Sequence, residues 1–291
     1  MKSEKRTEYL LILLLTIISG SLFSVVKAGL HYFTPFQLIL VRFLPTIPIF
    51  FWICWKARNL FKTLTTGDWL KIGAAGLFGT IVHNLSINYG QTHVGAGIAS
   101  LMDAMNPPAI LLLAIIFRHE RVGWNFYFGI IIAFIGVFVL TLTKTGFGFD
   151  QTTSTGVLIL LIAPVTWAIY TILLADIIPK VGVTQAPAAC VLAGSILLLP
   201  TTPFAFHDGF PSGWMPWFCL GMLSLLSTVT AFTIWSWLLK RRGAAHTGII
   251  EYLNVIWGVT FAITLMGETL TWQMVLGAIL ILAGVAMTQK K

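Results

Sequence analysis

Apolar segments of about 20 residues recur along almost the whole chain, and they constrain its fold more than any other feature. A helix that crosses a bilayer needs about 20 mostly apolar residues, because the hydrocarbon core is about 30 Å thick. Only 10% of the 291 residues are charged, too few to cover the surface of a water-soluble protein of this length. The sequence therefore predicts an all-α integral membrane protein.

Charged or Gly/Pro-rich points divide the chain into ten such segments. The connections between them are short, and none is long enough to form a soluble domain. The predicted spans are 9–30, 36–55, 69–90, 95–117, 124–143, 155–178, 185–206, 214–239, 245–266 and 271–288.

The distribution of basic residues supports ten spans. With the N-terminus in the cytoplasm, 15 of the 18 Lys and Arg residues fall in cytoplasmic loops or tails. Only Lys144 falls in an outer loop, while Lys27 and Arg42 lie inside spans. Because basic loops resist translocation, we expect a multi-pass protein of the cell (inner) membrane with both termini cytoplasmic. The net charge of +8 is thereby assigned to the membrane face, and no nucleic-acid partner is expected.

The two halves of the chain repeat each other when one is shifted by 148 positions. The register is nearly constant over most of both halves, which makes chance a poor explanation. The matched pairs include Gly95 with Gly243, Asp103 with Glu251, Asn106 with Asn254, Glu120 with Glu268, Gly129 with Gly277, and Gly136 with Gly284.

Each predicted repeat, residues 1–146 and 147–291, contains five spans. Because five is odd, the second repeat enters the membrane in the opposite orientation to the first. Inverted repeats are typical of alternating-access transporters, in which the binding site lies near the bilayer midplane between the two repeats. The alternative is a duplicated scaffold without a transport role.

These motifs resemble the EamA family of the drug/metabolite transporter superfamily. The first copy reads NPPAILLLAIIFRHERVGW with GIIIAFIGVFVL, and the second reads NVIWGVTFAITLMGETLTW with GAILILAGVAM. The resemblance covers essentially the whole chain. It implies ten helices in two inverted five-helix repeats, each with a proline-bearing fourth helix, a loop glutamate and a Gly-rich fifth helix. The chain departs from that pattern at Val255, where the family usually has proline. The resemblance implies export of amino acids or other small metabolites, or exchange of nucleotide sugars and sugar phosphates.

Two intramembrane acids are the leading candidates for a substrate or proton pathway. A charged side chain near the bilayer centre costs about 2.5–3.5 kcal/mol, so such residues normally face a cavity and have a partner. Asp103 lies in the predicted fourth span and Glu251 in the ninth. A structural alternative makes Asp103 half of a buried ion pair with Arg42 or Lys27.

Three other ionisable residues carry two interpretations each. Lys27 either lines the pathway or extends its amine to the outer headgroups. Arg42 is either an ion-pair partner or an anion site. His83 either contacts substrate and supports proton coupling, since histidine changes charge near neutral pH, or makes an interhelical hydrogen bond.

Asn106 stands beside two prolines, and Asn254 is its counterpart in the second repeat. Pro107 and Pro108 lack backbone N–H groups, which leaves the carbonyls of Asp103 and Ala104 without helical partners. The prolines are therefore predicted to form a hinge, with a static kink as the alternative.

Aromatic residues are predicted to form a wall of the pathway, with membrane anchoring as the alternative. They are Trp167, Tyr170, Trp235, Trp237, Tyr252 and Trp257.

The sequence contains no enzyme signature, Walker A motif or spaced His/Cys set, so we expect neither an enzyme nor a bound cofactor or metal. The leading hypothesis is a secondary transporter that exports small metabolites, such as amino acids or related compounds, with proton coupling. The alternatives are an uncoupled facilitative carrier and a non-transporting membrane scaffold or sensor. The expected partners are a small-molecule metabolite, protons and membrane lipid, for a monomer or a homodimer.

Overall fold

A computed structural model describes residues 2–118, 123–142, 150–207, 209–248 and 250–288 of the protein. The predicted boundary between the repeats, at residues 146 and 147, lies outside these ranges, and so does Glu120.

Apolar helices account for almost all of the described residues. Seven of them are long and apolar enough to cross a membrane, and three further apolar helices are shorter. In chain order they are α1 (Lys2–Gly29), α2 (Pro35–Lys56), α3 (Thr66–His93), α4 (Ala96–Phe117), α5 (Trp124–Leu140), α6 (Gln151–Val181), α7 (Gln185–Ala205), α8 (Trp214–Gly243), α9 (Glu251–Met266) and α10 (Trp272–Thr288).

The ninth predicted span differs most from the structure. A continuous helix over 245–266 was expected, whereas α9 begins at Glu251. Gly243 adopts a φ of 77°, which is accessible to glycine at little cost, and this breaks the helical run that continues to Gly248. The acid predicted to lie inside a helix therefore lies in the first turn of α9.

Two kinds of local departure from α-helical geometry each occur in a pair of helices. A 3-10 turn with the sequence LPT interrupts α2 at Leu44–Thr46 and α7 at Leu199–Thr201, where proline removes an intrahelical hydrogen bond. A π-helical segment interrupts α3 at Gly76–Val82 and α8 at Met222–Thr230. Such wide turns free backbone carbonyls and often occur at functional sites.

Helices α5 and α10 cross at their glycines. Gly136 faces the backbone of Gly277 so closely that a Cβ added to Gly136 would lie 2.8 Å from the Gly277 carbonyl oxygen. Gly129 faces Gly284 in the same way, and a Cβ on either residue would clash with the backbone of the other helix. Small residues allow this close approach of two apolar helices in a membrane.

The contacts between the two halves are reciprocal. Gly129 contacts Gly284, and the residues 148 positions away, Gly277 and Gly136, contact each other. At the level of helices, α1 packs against α9, and α6, its counterpart, packs against the second half of α4. Exchanging the halves therefore maps one set of contacts onto the other.

Large apolar side chains also cover the outside of the helix bundle. Phe117, Leu158 and Phe204 each expose more than half of their surface. A soluble protein rarely exposes such an extensive apolar surface, whereas lipid chains would cover it.

Ion pairs tie helices together at one end of the bundle, the end predicted to be cytoplasmic. Glu8 on α1 accepts from both Arg241 and Arg242 at the end of α8. Two further pairs join α3 to α6: Lys71 with Asp176 and Lys180 with Asp68, both at 2.6 Å.

Candidate functional site

The two intramembrane acids line one buried cavity. Asp103 and Asn106 reach it from α4, and Glu251 and Asn254 reach it from α9. Asn106, Glu251 and Asn254 each expose less than a tenth of their surface. The cavity holds about 60 Å³ of free space, which is room for a few water molecules but not for a metabolite. Helices α1, α2, α3, α6 and α8 complete its wall.

Amide groups connect the two acids. Asn106 Nδ2 donates to Asp103 Oδ1 at 2.6 Å, and Asn254 Nδ2 lies 3.5 Å from Asp103 Oδ2. The Asn106 amide also interacts with Glu251, and the two carboxyl groups interact electrostatically with each other. Asp103 with Asn254 and Glu251 with Asn106 are therefore reciprocal pairs, like those of the α5–α10 crossing.

Glu251 has a further donor on α6. Trp167 Nε1 donates to Glu251 Oε1 at 2.7 Å. The Trp167 ring stacks on Tyr170 at 5.0 Å and contacts Trp235 at 5.5 Å, which fixes the indole in place. Trp167 thus lines the cavity, as predicted for a residue of the aromatic wall.

Four of the other predicted wall residues lie elsewhere: Tyr170, Trp237, Tyr252 and Trp257. Tyr170 is fully buried and packs against Gly79 of α3, so it supports Trp167 from behind. Tyr252 packs against the apolar core around α4 and α10. Among the described residues none of these four lines the cavity. Trp235 of α8, also predicted for the wall, does line the cavity, and Phe232, which the sequence did not single out, lines it as well.

Arg42 lines the same cavity but does not pair with Asp103. Its Nε donates to Thr228 Oγ1 at 3.0 Å, Nη1 to Asn84 Oδ1 at 2.8 Å, and Nη2 to the Ser227 carbonyl at 3.1 Å. The alternative in which Asp103 pairs with Arg42 is therefore wrong, since all three partners of Arg42 are uncharged.

The π-helical segments explain this placement of Arg42. Ser227 and Thr228 lie in the π-helical segment of α8, where Thr228 Oγ1 donates to the carbonyl of Leu223 five residues earlier. On α3, the Asn84 amide donates to the carbonyls of Gly79 and Thr80, which turns its oxygen toward Arg42. The wide turns thus hold the guanidinium in a fixed position.

Lys27 lies at the opposite end of the bundle from the ion pairs of Glu8. Its Nζ donates to the carbonyls of Gln91 and Val94, at 2.7 and 2.9 Å, near the end of α3. Helix C-terminal carbonyls attract a cation. Pairing of Lys27 with Asp103 is therefore wrong as well, and Lys27 does not line the cavity among the described residues.

Glu268 is an interacting residue that the sequence interpretation did not select. Its carboxylate accepts from the backbone N–H groups of Ala96 and Gly97, at 2.6 and 3.0 Å, and so caps the N-terminus of α4. It also interacts electrostatically with Lys27. The signal that pointed to it was its place in the repeat, opposite Glu120.

His83 lines the cavity beside Trp167. Its Nδ1 lies 3.1 Å from the carbonyl oxygen of Ala163, and its ring centroid lies 5.1 Å from that of Trp167. The imidazole thus makes an interhelical contact and also faces the cavity, while contact with substrate stays a prediction.

The predicted break in α4 lies next to the acid. The helix Ala96–Asp103 ends, Ala104 and Met105 form a turn, and a second helix begins at Asn106. Pro107 and Pro108 therefore occupy the first turn of that helix, where the missing N–H groups cost nothing. The break places Asp103 and Asn106 on the same side of α4, facing the cavity.

Among the described residues, no three His, Cys, Asp or Glu side chains gather as they would around a metal ion. The polar residues that line the cavity instead include two acids, one arginine, one histidine, two asparagines and two serines, together with two tryptophans.

Comparison with known protein families gives two matches to a single model. The model of the EamA-like transporter family matches residues 6–142 and again residues 154–289.

Full-length relatives are named as transporters. The chain is 26% identical over 275 residues to an "Uncharacterized transporter" of Archaeoglobus fulgidus, covering 94% of this chain and 95% of the relative. It is 28% identical to a "Probable amino-acid metabolite efflux pump" of Salmonella typhimurium, covering 96% and 93%. A "Probable terminal-alkyne amino-acid exporter" of Streptantibioticus cattleyicolor is 25% identical, covering 77% and 74%. A solved crystal structure shares the fold, with a TM-score of 0.68 at 18% identity over 98% of this chain and 96% of that chain.

Proposed function

The chain belongs to the EamA-like transporter family, and on this premise we propose that it is a secondary active transporter that exports amino acids or related small metabolites. The family membership confirms the resemblance noted in the sequence and makes the protein a multi-pass membrane transporter. Two relatives are named for amino-acid or amino-acid metabolite efflux, which supports the proposed substrate class.

One observation carries the mechanism: two acids from different halves of the chain face one cavity. Asp103 and Glu251, with Asn106 and Asn254, form a site in which each half supplies an acid and an amide. Transporters built from repeats bind substrate where the repeats meet. We place the substrate and coupling-proton site here.

The reciprocal contacts support an inverted repeat. The glycine crossing of α5 and α10 and the acid–amide pairs both map onto themselves when the halves are exchanged. When two halves are related by a two-fold axis, each contact from one half to the other has a counterpart in the reverse direction. Rocking of one five-helix half against the other would then open the cavity alternately to each side.

The small size of the cavity fits such a mechanism. With about 60 Å³ of free space, the cavity must widen before a metabolite enters it. The break at Ala104 and Met105, with Pro107 and Pro108 after it, is the proposed hinge for this widening.

The acids and His83 are the proposed route for proton coupling. Interacting carboxyl groups in one site titrate together, so a proton taken up by the pair is released when a cationic substrate group replaces it. An uncoupled facilitative carrier is the alternative, and a non-transporting scaffold or sensor is a second one.

Flux into proteoliposomes tests these proposals. The purified protein is reconstituted and supplied with a panel of labelled amino acids and other metabolites, with and without an imposed pH gradient. Transport that responds to the gradient is expected, and Asp103→Asn and Glu251→Gln should abolish the response. Asp176→Asn, which removes an exposed acid outside the cavity, is the matched control.

The outcomes separate the alternatives. Flux that ignores the pH gradient in the wild type favours a facilitative carrier. No flux for any compound favours a scaffold or sensor. Unchanged pH dependence in both acid variants would remove these acids from the proton pathway.

The proposed location is the inner membrane with both termini cytoplasmic. The ion pairs of Glu8, Arg241 and Arg242 lie at the basic end of the bundle, which supports this orientation. Fusion of a fluorescent protein that folds only in the cytoplasm to either terminus should give fluorescent cells, and dark cells would reverse the assignment.

A further inference from the structure

The cavity contains three buried oxygen atoms that accept no hydrogen bond from the described residues. They are Glu251 Oε2, Asn106 Oδ1 and Asn254 Oδ1. Buried polar atoms are almost always paired, so a cluster of unpaired acceptors calls for a donor. An ammonium group carries three N–H donors and no acceptor, and its charge matches the two carboxyl groups. This acceptor cluster therefore has the chemistry of an amine site.

Donors face the same cavity from α2 and α8. A guanidinium has five N–H groups, and three on Arg42 donate to acceptors of the described residues. The Trp235 indole N–H is buried and finds no acceptor among the described residues. Arg42 and Trp235 together therefore offer donors without matching acceptors, which is the chemistry of a carboxylate site.

The acceptor oxygens and the donors of Arg42 and Trp235 together favour one class of ligand over others. A simple amine would satisfy the oxygen atoms but leave the Arg42 donors unpaired and bring a cation into a cavity that already holds one. An anion would satisfy Arg42 but face Asp103 and Glu251. A zwitterion satisfies both groups at once, because each of its charges meets the opposite charge.

We propose that Arg42 is the specificity-determining residue of the cavity, where its guanidinium recognises the substrate carboxylate while the free oxygens of Glu251, Asn106 and Asn254 receive the substrate ammonium group. The inference rests on the proposed transport function and narrows its substrate to zwitterions. The neutral partners of Arg42 are part of the case: Thr228, Asn84 and the Ser227 carbonyl hold the guanidinium in position without neutralising its charge.

Competition binding tests the proposal in the full-length protein. The protein in lipid nanodiscs is screened with labelled L-amino acids, and the bound one is competed with its decarboxylated amine and its deaminated acid. For leucine these competitors are 3-methylbutylamine and 4-methylpentanoate. We expect both to compete at least about 100-fold more weakly than the amino acid, because each leaves buried polar groups unpaired.

Variants of Arg42 separate recognition from folding. Arg42→Gln should reduce the preference for the amino acid over the amine to about tenfold or less. Arg42→Lys keeps the charge but loses the planar fork of donors. Its preference for the amino acid over the amine should therefore lie between those of the wild type and Arg42→Gln. Lys71→Gln removes a cation outside the cavity and should keep the wild-type preference.

Two results would overturn the proposal. In the wild type, an amine that competes as well as the amino acid excludes carboxylate recognition, even if Arg42 variants fail to fold. Binding of no amino acid also excludes it. Flux of a different class of metabolite would then still support a transporter, so the two conclusions fail separately.

Discussion

Substitution of Gly129 by alanine tests the crossing of α5 and α10 most directly. A Cβ at this position would clash with the Gly284 carbonyl oxygen and lie 2.8 Å from the Thr288 backbone nitrogen. Backbone atoms of a packed helix cannot move aside like a flexible side chain, so the two helices must separate.

The expected cost follows from two opposing effects. Overpacking a tight interface costs about 1–3 kcal/mol. Replacing a helical glycine by alanine recovers about 0.5–1 kcal/mol. Taking the middle of each range, the net destabilisation is about 1 kcal/mol, and each kcal/mol lowers the apparent Tm by roughly 2–4 °C in a chain of this size.

The repeat supplies both a partner variant and a control. Gly284→Ala should cost about as much as Gly129→Ala, because its Cβ would clash with the Ala133 backbone nitrogen. Gly73 and Gly221, also matched at 148 positions, have open space around them, so alanine there should leave Tm unchanged or raise it. Thermal unfolding in detergent, followed by size-exclusion chromatography, measures all four. Equal Tm values for Gly129→Ala, Gly284→Ala and Gly221→Ala would refute the close crossing.

Three further predictions concern the cavity and its surroundings. Glu268→Gln removes a charge from the N-terminus of α4 and should cost about 0.5–1 kcal/mol of stability in thermal unfolding; a Tm equal to that of the wild type would contradict the capping role. Trp167→Phe leaves Glu251 Oε1 without its donor, at a cost of about 1–3 kcal/mol, and should shift the pH profile of flux, which a purely packing role would leave in place. Pro107→Ala combined with Pro108→Ala should slow flux severalfold while binding is retained if the break is a hinge, whereas a static kink predicts unchanged flux.

The local sequence pattern was insufficient to predict the partners of the buried charged residues. An ion pair between Asp103 and a cation was one alternative from the sequence, because an isolated charge in lipid is costly. The structure instead surrounds Asp103 with the amides of Asn106 and Asn254, and Arg42 with neutral oxygen atoms. The partners of Arg42 depend on π-helical segments in α3 and α8, and the local sequence does not indicate where a helix will widen.

Glu268 illustrates the same limit at the end of a helix. Its motif was visible, but the group that it binds, the N-terminus of α4, is 171 or more positions away in the chain. Hydrogen bonds across such a distance arise only when α9 and α4 pack together. Tyr170 and Tyr252 were likewise assigned to the cavity by type, while the rotation of their helices turns them into the core.

By itself, the sequence determined the apolar helices, the family and the matched pairs Asp103 with Glu251 and Asn106 with Asn254. These features follow from local rules, because helix length is tied to bilayer thickness and a repeat is visible as a constant register. Tertiary structure alone decided that these four side chains meet in one cavity and that Arg42 lines the cavity without forming an ion pair with either acid. Those contacts depend on how each helix is rotated and where it breaks, and packing between distant segments sets both.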